Sequence, residues 1–366
     1  MEQSNRISDD YTEQCRKSIR RLSMGSSVIS EGRTIYDERN QVLDIEEGPE
    51  LGKGSYSNVR EVRRFHSQRS LSISHSTASV SERSLQSAST VFDPNTDPES
   101  RSYYYAVKKV RQDLTGSGRK HAAIDLAVEA QFLTSLSHQH IVSIEGVGDE
   151  PGSKNFFIII ERLDRTLSEQ IRIWQIDTRR ITRTMDRSKV KSTMASRMSS
   201  RISYAKDLSC ALSYLHEKKM IFRDLKPENV GFTHENEIKL FDFGLARELR
   251  EERKVGRVKF LLSLAGTRRY MAPEVMKGSP YGLPADVFSF SLLLWEMVHM
   301  EKPFRNLDAK QHERALVLWR SRPKVSSEVP RAVKSIIVKS WNNDAKCRPR
   351  MERVLEKLQL HLESIP

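Results

Sequence analysis

The spacing of apolar residues in this chain changes from strand-like to helix-like near residue 165. Before that point, short apolar segments at residues 103–110 and 156–160 predict strands, with a helix at residues 119–136. After it, the pattern predicts mainly helices, among them residues 205–216, 288–299 and 350–362. Strands and helices that are segregated along a chain are typical of α+β folds. We therefore predict an α+β protein of two lobes, the first rich in strands and the second rich in helices.

Charge and composition exclude several classes of protein. The chain of 366 residues has 61 Lys and Arg against 48 Asp and Glu, a net charge of +13 that favours anionic partners. No segment approaches the roughly 20 apolar residues of a membrane span, and residues 1–6 lead into no apolar signal segment. Cys15, Cys210 and Cys347 fit no zinc-binding spacing. We expect a cytoplasmic protein, with the nucleus as the alternative, and no membrane span.

Three polar segments interrupt the pattern. Residues 1–40 are basic and Ser-rich and predict a flexible extension, in which Ser23 follows Arg20 and Arg21 and is a candidate phosphate acceptor. Twelve serines occur from Ser67 to Ser102, so residues 66–101 are predicted to be a disordered insert. Residues 177–201 are strongly basic and predict a second, mobile insert.

A segment rich in small residues lies between the first two predicted strands. It contains Gly52, Lys53, Gly54, Ser55, Ser57 and Val59. Glycines allow backbone N–H groups to approach phosphate oxygens closely. No helix follows directly, which argues against a dinucleotide-binding turn. The segment is a candidate nucleotide loop, and an ordinary hairpin turn is the alternative.

A lysine and a glutamate in apolar surroundings form a candidate ion pair. Lys108 follows Ala106 and Val107 in a predicted strand, and a lysine on a buried strand requires an anionic partner. Glu129, on the next predicted helix, can supply it. Either residue taken alone is more often an exposed surface charge.

Polar residues are concentrated at residues 223–229 between apolar neighbours. Asp224 is suited to accept a hydroxyl proton, Lys226 to neutralise a transferring phosphoryl group, and Asn229 to hold a metal ion. Further along the chain, Asp242 offers hard carboxylate oxygens for magnesium. These residue types indicate phosphoryl transfer.

The order of these segments resembles that of the eukaryotic protein kinase family over about residues 43–363. The residues that carry the resemblance are the loop at residues 52–57, Ala106, Val107, Lys108, Glu129, Arg223, Asp224, Asn229, Asp242, Phe243, Gly244, Ala272, Pro273, Glu274, Asp286 and Arg348. The resemblance implies a kinase domain at residues 41–363. Its N-lobe, a small antiparallel β-sheet with one key helix, would span residues 41–163. Its larger, helical C-lobe would span residues 164–363, and ATP would bind in the cleft between the lobes.

The resemblance also implies roles for individual residues. Lys108 would hold the α- and β-phosphates of ATP and pair with Glu129, while Asp224 would be the catalytic base and Lys226 would contact the γ-phosphate. Other implied ATP contacts are Gly52, Lys53, Gly54, Ser55, Ser57, Val59, Ala106, Glu161 and Leu163. The implied magnesium ligands are Asn229 and Asp242, and the implied structural residues are Asp286, bracing the catalytic loop, and the Glu274–Arg348 ion pair.

The implied substrates are ATP and proteins with Ser or Thr acceptors. Lys226 and Thr267 are similar to the residues at these positions in serine/threonine kinases, and the region of Trp341 resembles the tyrosine-kinase-like branch. Arg223, which precedes Asp224, implies activation by a phosphate in the activation segment, expected on Ser263. An upstream kinase would act there or on serines of the extension and insert.

Two departures from the family pattern support an alternative function. Phe222 stands where the family usually has His. Gly231 stands where an apolar side chain normally packs under adenine. Because of Gly231, we expect weaker ATP binding unless Val230 or Phe232 fills the space. The alternative is a pseudokinase-like nucleotide-binding scaffold with little turnover. A nucleic-acid-binding protein is a third reading of the positive charge, but the sequence has no recognition motif for specific nucleic acid.

Overall fold

The computed structural model of the chain describes residues 11–24, 26–30, 42–54, 56–67, 104–249 and 265–365. The chain divides into two units. The first consists of Met1–Ser137 and Val142–Arg162, and the second of His138–Ile141 and Leu163–Pro366. The first unit contains a five-stranded sheet and the second is mostly helical, so the predicted α+β class is confirmed.

An antiparallel sheet forms the centre of the first unit. Its strands are β1 (Val42–Lys53), β2 (Ser57–Ser67), β3 (Tyr105–Val110), β4 (Ile144–Gly148) and β5 (Phe157–Glu161), in the spatial order β1-β2-β3-β5-β4. Successive side chains of a strand point to opposite faces. Val107 of β3 belongs to an apolar cluster with Val62 and Ile159. Ala106 and Lys108, one position on either side, therefore belong to the other face.

The described residues of the first unit include three helices, two of which lie where no structure is predicted. They are α1 (Thr12–Ser23), α2 (Ser27–Ser30) and α3 (Gly116–Ser135). The prediction of a flexible extension over residues 1–40 is wrong for α1 and α2. Cys15 and Ile19, one helical turn apart, are 0% and 3% exposed, because α1 packs against α3.

The second unit is built around a long buried helix. Its helices are α4 (Leu167–Thr184), α5 (Arg187–Glu217), α6 (Pro273–Met276), α7 (Pro284–His299), α8 (Ala309–Glu313), α9 (Arg331–Ser340) and α10 (Met351–Glu363). Its strands are β6 (Arg165–Thr166), β7 (Met220–Ile221), β8 (Val230–Phe232), β9 (Ile238–Leu240) and β10 (Arg247–Glu248). Every residue of α7 from Ala285 to Val298 is buried, and α7 packs against α5 and α9.

The basic segment at residues 177–201 is helical, so the prediction of a mobile insert there is wrong. It forms the end of α4 and the start of α5. The guanidinium of Arg201 lies 5.9 Å from the ring centre of Trp174 and donates a hydrogen bond to the Val298 carbonyl at 3.2 Å. The predicted insert at residues 66–101 lies outside the described residues except for its first two positions, which end β2.

The helices of the described ranges include none with both the length and the apolar composition of a membrane span.

Candidate active site

The glycine-rich segment forms the turn of the β1–β2 hairpin. Gly52 pairs with Val59, and the Gly54 N–H donates to the Ser57 carbonyl at 2.8 Å. Lys53 pairs with Asn58, while Ser55 lies outside the described residues. The two predicted strands and their small-residue turn are therefore present.

Lys108 and Glu129 form an ion pair in the first unit. The Lys108 Nζ lies 2.6 Å from Glu129 Oε2, and the two side chains are 10% and 3% exposed. Lys108 comes from β3 and Glu129 from the face of α3 that is turned to the sheet. Ala106, on the same strand, is 2% exposed. At the end of β5, the Glu161 N–H donates to the Ser143 carbonyl at 3.0 Å, and the Glu161 carboxylate accepts from the Ser143 N–H at 3.3 Å.

The Asp224 carboxylate of the second unit accepts hydrogen bonds from four donors. Its Oδ1 accepts from the Thr267 N–H at 2.7 Å and from the Thr267 hydroxyl at 2.8 Å. Its Oδ2 accepts from Lys226 Nζ at 2.6 Å and from Asn229 Nδ2 at 3.0 Å. Donors on both oxygens fix the orientation of the carboxylate plane.

Asp286 supports the backbone of the loop at residues 222–229. Its carboxylate, 1% exposed, accepts from the N–H groups of Phe222 at 2.8 Å and Arg223 at 2.9 Å. His216 Nε2 lies 3.1 Å from the same carboxylate. Arg223 adopts a φ of +75°, a conformation that is costly for a residue with a side chain and needs such support. Sequence reasoning missed His216, since no motif marks it.

Asn229 and Asp242, the predicted magnesium ligands, lie on adjoining segments of the second unit. The Phe241 N–H donates to the Asn229 carbonyl at 3.1 Å, which brings the residue before Asp242 against Asn229. Because the Asn229 amide nitrogen is directed at Asp224, its amide oxygen is the group available to a cation. An amide oxygen and a carboxylate are hard ligands that suit Mg²⁺.

The segment that begins at Ala265 lies against the loop at residues 222–229. Gly266 has a φ of +106°, and a Cβ on it would stand 2.4 Å from the Arg223 carbonyl oxygen. Glycine is therefore required at this approach. The close approach of Gly266 to Arg223 places Thr267 next to Asp224.

Arg223 is anchored within the second unit. Its Nε donates to the Leu245 carbonyl at 2.5 Å, and its Nη1 lies 3.4 Å from the Tyr281 hydroxyl. Ser263, the predicted phosphate acceptor, lies outside the described residues.

Glu274 and Arg348 form a bidentate ion pair. Arg348 Nη1 and Nη2 donate to the two Glu274 oxygens at 2.6 and 2.7 Å. Arg348 also donates to the carbonyls of Pro284 and Asn342, both at 2.8 Å. The pair ties α6 to the start of α7 and to the chain before α10.

Comparison with known proteins decides the family. Residues 88–358 match the family model described as protein kinase domain, and they make up more than half of the chain. The chain belongs to the protein kinase family. The matched residues begin after β2, so they include Lys108, Asp224 and Asp242 but not the glycine-rich hairpin.

This kinase domain is similar to curated kinases over part of their length. Serine/threonine-protein kinase STY17 of Arabidopsis thaliana is 34% identical over 157 residues, 43% of this chain and 26% of that protein. Mitogen-activated protein kinase kinase kinase 13-A of Xenopus laevis is 30% identical over 164 residues, 43% and 16% of the two chains. Probable serine/threonine-protein kinase roco8 of Dictyostelium discoideum is 28% identical over 253 residues, 66% and 12%. The chain thus matches about a quarter or less of each relative's length.

The two departures from the kinase pattern are accommodated within the second unit. A Cβ on Gly231 would stand 2.7 Å from Leu163 Cδ1, so the Leu163 side chain occupies the space that the sequence suggests is empty. Phe222 and Phe243 are both fully buried, and their rings pack edge to face with centres 5.2 Å apart.

A buried carboxylate in the kinase domain was missed by sequence reasoning. Tyr270 Oη donates to Glu296 Oε2 at 2.7 Å. Burial raises the pKa of Glu296 to about 7; the Tyr270 hydroxyl opposes the rise and the nearby Glu228 carboxylate adds to it. The available signal was a glutamate within the apolar run of α7, because such a residue is rarely buried without a partner.

Proposed function

We propose that this chain is an ATP-dependent protein serine/threonine kinase, which transfers the γ-phosphoryl group of Mg-ATP to Ser or Thr hydroxyls of proteins. The observation that carries the proposal is the Asp224 carboxylate, oriented by Lys226, Asn229 and Thr267. The names of the relatives, which are serine/threonine kinases, support the same acceptor class.

Each residue of the site has a defined task in this reaction. Asp224 orients the acceptor hydroxyl and takes its proton as the oxygen–phosphorus bond forms and the bond to ADP breaks. Lys226 neutralises charge on the transferred phosphoryl group, and Lys108, oriented by Glu129, binds the other phosphates. Asn229 and Asp242 would hold Mg²⁺, which supplies charge neutralisation on the phosphate oxygens.

The pseudokinase alternative has less support than catalysis. Lys108, Glu129, Asp224, Asn229 and Asp242 are all present, so no phosphate-binding, proton-accepting or metal-binding group is missing. The features that favoured it, Phe222 and Gly231, are each compensated by packing.

Regulation by phosphorylation of Ser263 belongs to the same proposal. Arg223 is the residue expected to receive the phosphate, and its backbone and side chain are already fixed by Asp286 and Leu245. A phosphate adds about −1.5 to −2 charges and orders segments that meet an arginine. Ser263→Ala should lower activity, and unchanged activity after exposure to an activating kinase would remove this part of the proposal.

A preference for basic substrate segments follows from the local charge. Glu228 is exposed and lies one residue before Asn229. Its carboxylate would attract a substrate Lys or Arg. The cytoplasm, with the nucleus as the alternative, is the proposed location.

The function is tested by transfer of radiolabelled phosphate from ATP to peptide libraries with Ser, Thr or Tyr acceptors. We expect labelling of Ser and Thr peptides, strongest with basic flanking residues, and loss of labelling in Lys108→Met and Asp224→Ala proteins. Equal labelling by all three proteins would indicate a contaminating kinase. Well-folded protein that binds ATP but labels no peptide would favour the pseudokinase.

A further inference from the structure

The helix α3 is buried on more sides than the sheet alone can cover. Glu129 faces the sheet, where it meets Lys108. Ala123, Ala127 and Ala130 are 5%, 0% and 0% exposed. At about 100° per residue, these alanines lie roughly 100–160° around the helix from Glu129. A second layer must therefore cover them.

The N-terminal helices α1 and α2 provide that layer. Both pack against α3. Their apolar side chains Cys15, Ile19, Val28 and Ile29 are between 0% and 4% exposed. Alanine side chains allow a second helix to approach closely, so the composition of α3 suits this contact.

Polar contacts fix the N-terminal half of α1. The Tyr11 hydroxyl donates to the carbonyl of Gly116, the first residue of α3, at 3.2 Å. The Tyr11 N–H donates to the Gly152 carbonyl at 2.9 Å, and Arg16 forms an ion pair with Glu150. Gly152 has a φ of +94°, and a Cβ on it would stand 2.6 Å from the Tyr11 carbonyl. The turn between β4 and β5 is thus shaped for Tyr11.

We propose that the segment Tyr11–Ile19 positions α3 and thereby controls the Lys108–Glu129 ion pair. The inference rests on the proposed kinase function, in which this pair places the phosphates of ATP. Lys108 Nζ and Glu129 Oε2 are 2.6 Å apart, and a shift of α3 by about 1 Å would take them beyond normal hydrogen-bond distance. Tyr11, Cys15 and Ile19 are therefore positioning residues for the reaction.

The test places a carboxylate in the contact between α1 and α3. Ile19→Asp buries a charge against α3, whereas the control Lys17→Asp places the same group on the exposed side of α1, where Lys17 is 66% exposed. Each substitution is made in the full chain and again in a Glu129→Gln background. The readouts are amide hydrogen exchange of α3, the ATP dissociation constant and kcat/KM.

We expect Ile19→Asp to increase exchange in α3 and to lower kcat/KM at least tenfold, and Lys17→Asp to change neither. In the Glu129→Gln background, Ile19→Asp should cause little further loss, because both changes act on one ion pair. A full additional loss there would mean general destabilisation and would overturn the proposal. Unchanged α3 exchange and kcat/KM in Ile19→Asp would also overturn it.

A milder variant keeps the test valid if Ile19→Asp does not fold. Tyr11→Phe removes the hydrogen bond to Gly116 and leaves the apolar contact in place. It should give a smaller change of the same kind, again absent in the Glu129→Gln background. The exchange readout separates the two proposals, since docking of α1 can be measured even if the chain transfers no phosphate.

Discussion

Two buried carboxylates, Asp224 in the second unit and Glu129 in the first, are held in place in different ways. Asp224 accepts hydrogen bonds from four donors on neighbouring loops. Glu129 reaches Lys108 through the placement of α3 as a whole. A group with several local donors keeps its position when one is lost, whereas a group on a docked helix moves when the helix moves. We infer that Asp224, the proposed proton acceptor, is fixed locally, whereas the Lys108–Glu129 pair, proposed to bind phosphates, depends on the position of α3.

The largest effect is expected from removing the Asp224 charge. Asp224→Asn keeps the size of the side chain but cannot accept the hydroxyl proton, so phosphoryl transfer should fall about 100- to 10,000-fold. The ATP dissociation constant should stay within about threefold of wild type, because the affected group faces the acceptor. Asp113→Asn, on an exposed surface pair with Arg111, is the control. A transfer rate within about tenfold of wild type would contradict the role of Asp224.

Glu296 is a third buried carboxylate, and the group that donates a hydrogen bond to it is the Tyr270 hydroxyl. Its pKa is about 7 in the folded protein against a usual 4.5, so the folded state binds the proton more tightly. This stabilisation is complete below pH 4.5 and is lost as the pH rises through about 7. The Glu296→Gln protein cannot ionise there. Between about pH 5 and pH 8, wild type should therefore lose about 2–3 kcal/mol more stability than the variant in urea unfolding. Parallel pH profiles would contradict this.

The Lys108–Glu129 pair should show a smaller effect on the reaction than Asp224. Glu129→Gln keeps a hydrogen-bond acceptor but removes the charge, and hydrogen bonds to charged groups contribute about 1.5–3 kcal/mol. We expect kcat/KM for ATP to fall about 10- to 100-fold, measured by steady-state kinetics at several ATP concentrations. Glu46→Gln, an exposed residue of β1 in the same unit, is the matched control. If Glu129→Gln lowered the rate at saturating ATP as much as Asp224→Asn does, the two carboxylates would not have the different roles proposed for them.

Local redundancy around Asp224 predicts a modest effect for Thr267. Thr267→Val removes the hydroxyl donor at 2.8 Å but keeps the N–H donor at 2.7 Å. A hydrogen bond to a charged group contributes about 1.5–3 kcal/mol, and because the N–H donor remains we expect the lower end of this range, a fall in kcat of about tenfold. Thr267→Ser, which keeps the hydroxyl, should be close to wild type. A loss in the valine variant comparable to that of Asp224→Asn would show that the donors around Asp224 are not redundant.

The smallest effect is expected at the end of α1. Ser23 is the last residue of α1, and its hydroxyl donates to the Ile19 carbonyl at 3.0 Å. Ser23→Glu places a negative charge at a helix C-terminus, which costs about 0.3–1 kcal/mol. Amide exchange in α1 should increase slightly more than in Ser23→Ala, which loses the hydrogen bond alone. Equal exchange in the two variants would mean that charge at this position has no influence on α1.

Sequence reasoning predicted several of the contacts in the candidate site because the residues occur in recognisable local patterns. Asp224, Lys226 and Asn229 lie within one short loop, and the structure joins all three. Lys108 and Glu129 could be paired because a lysine in an apolar strand requires a counter-charge. The supports from distant segments, such as His216 on Asp286, depend on tertiary packing and have no local pattern.

The segments that were misread are basic helices. In α1 the apolar residues Cys15 and Ile19 are separated by Arg16 and Lys17, so the composition suggested a solvated tail. The spacing of Cys15 and Ile19 by one helical turn was the signal that indicated a helix. At residues 177–201 the helices depend on long-range contacts, including that of Arg201 with Val298. Similarly, no sequence rule indicates that Leu163 would fill the space beside Gly231.

The central claim is that Asp224 serves the chemical step and the Lys108–Glu129 pair serves ATP binding. It is tested most directly by measuring the ATP dissociation constant and the single-turnover transfer rate on the same samples of wild type, Asp224→Asn and Glu129→Gln. The account predicts that Asp224→Asn binds ATP normally and loses transfer, while Glu129→Gln binds ATP more weakly and regains most of its transfer rate at saturating ATP. Normal transfer by Asp224→Asn, or equal loss of ATP binding in both variants, would contradict it.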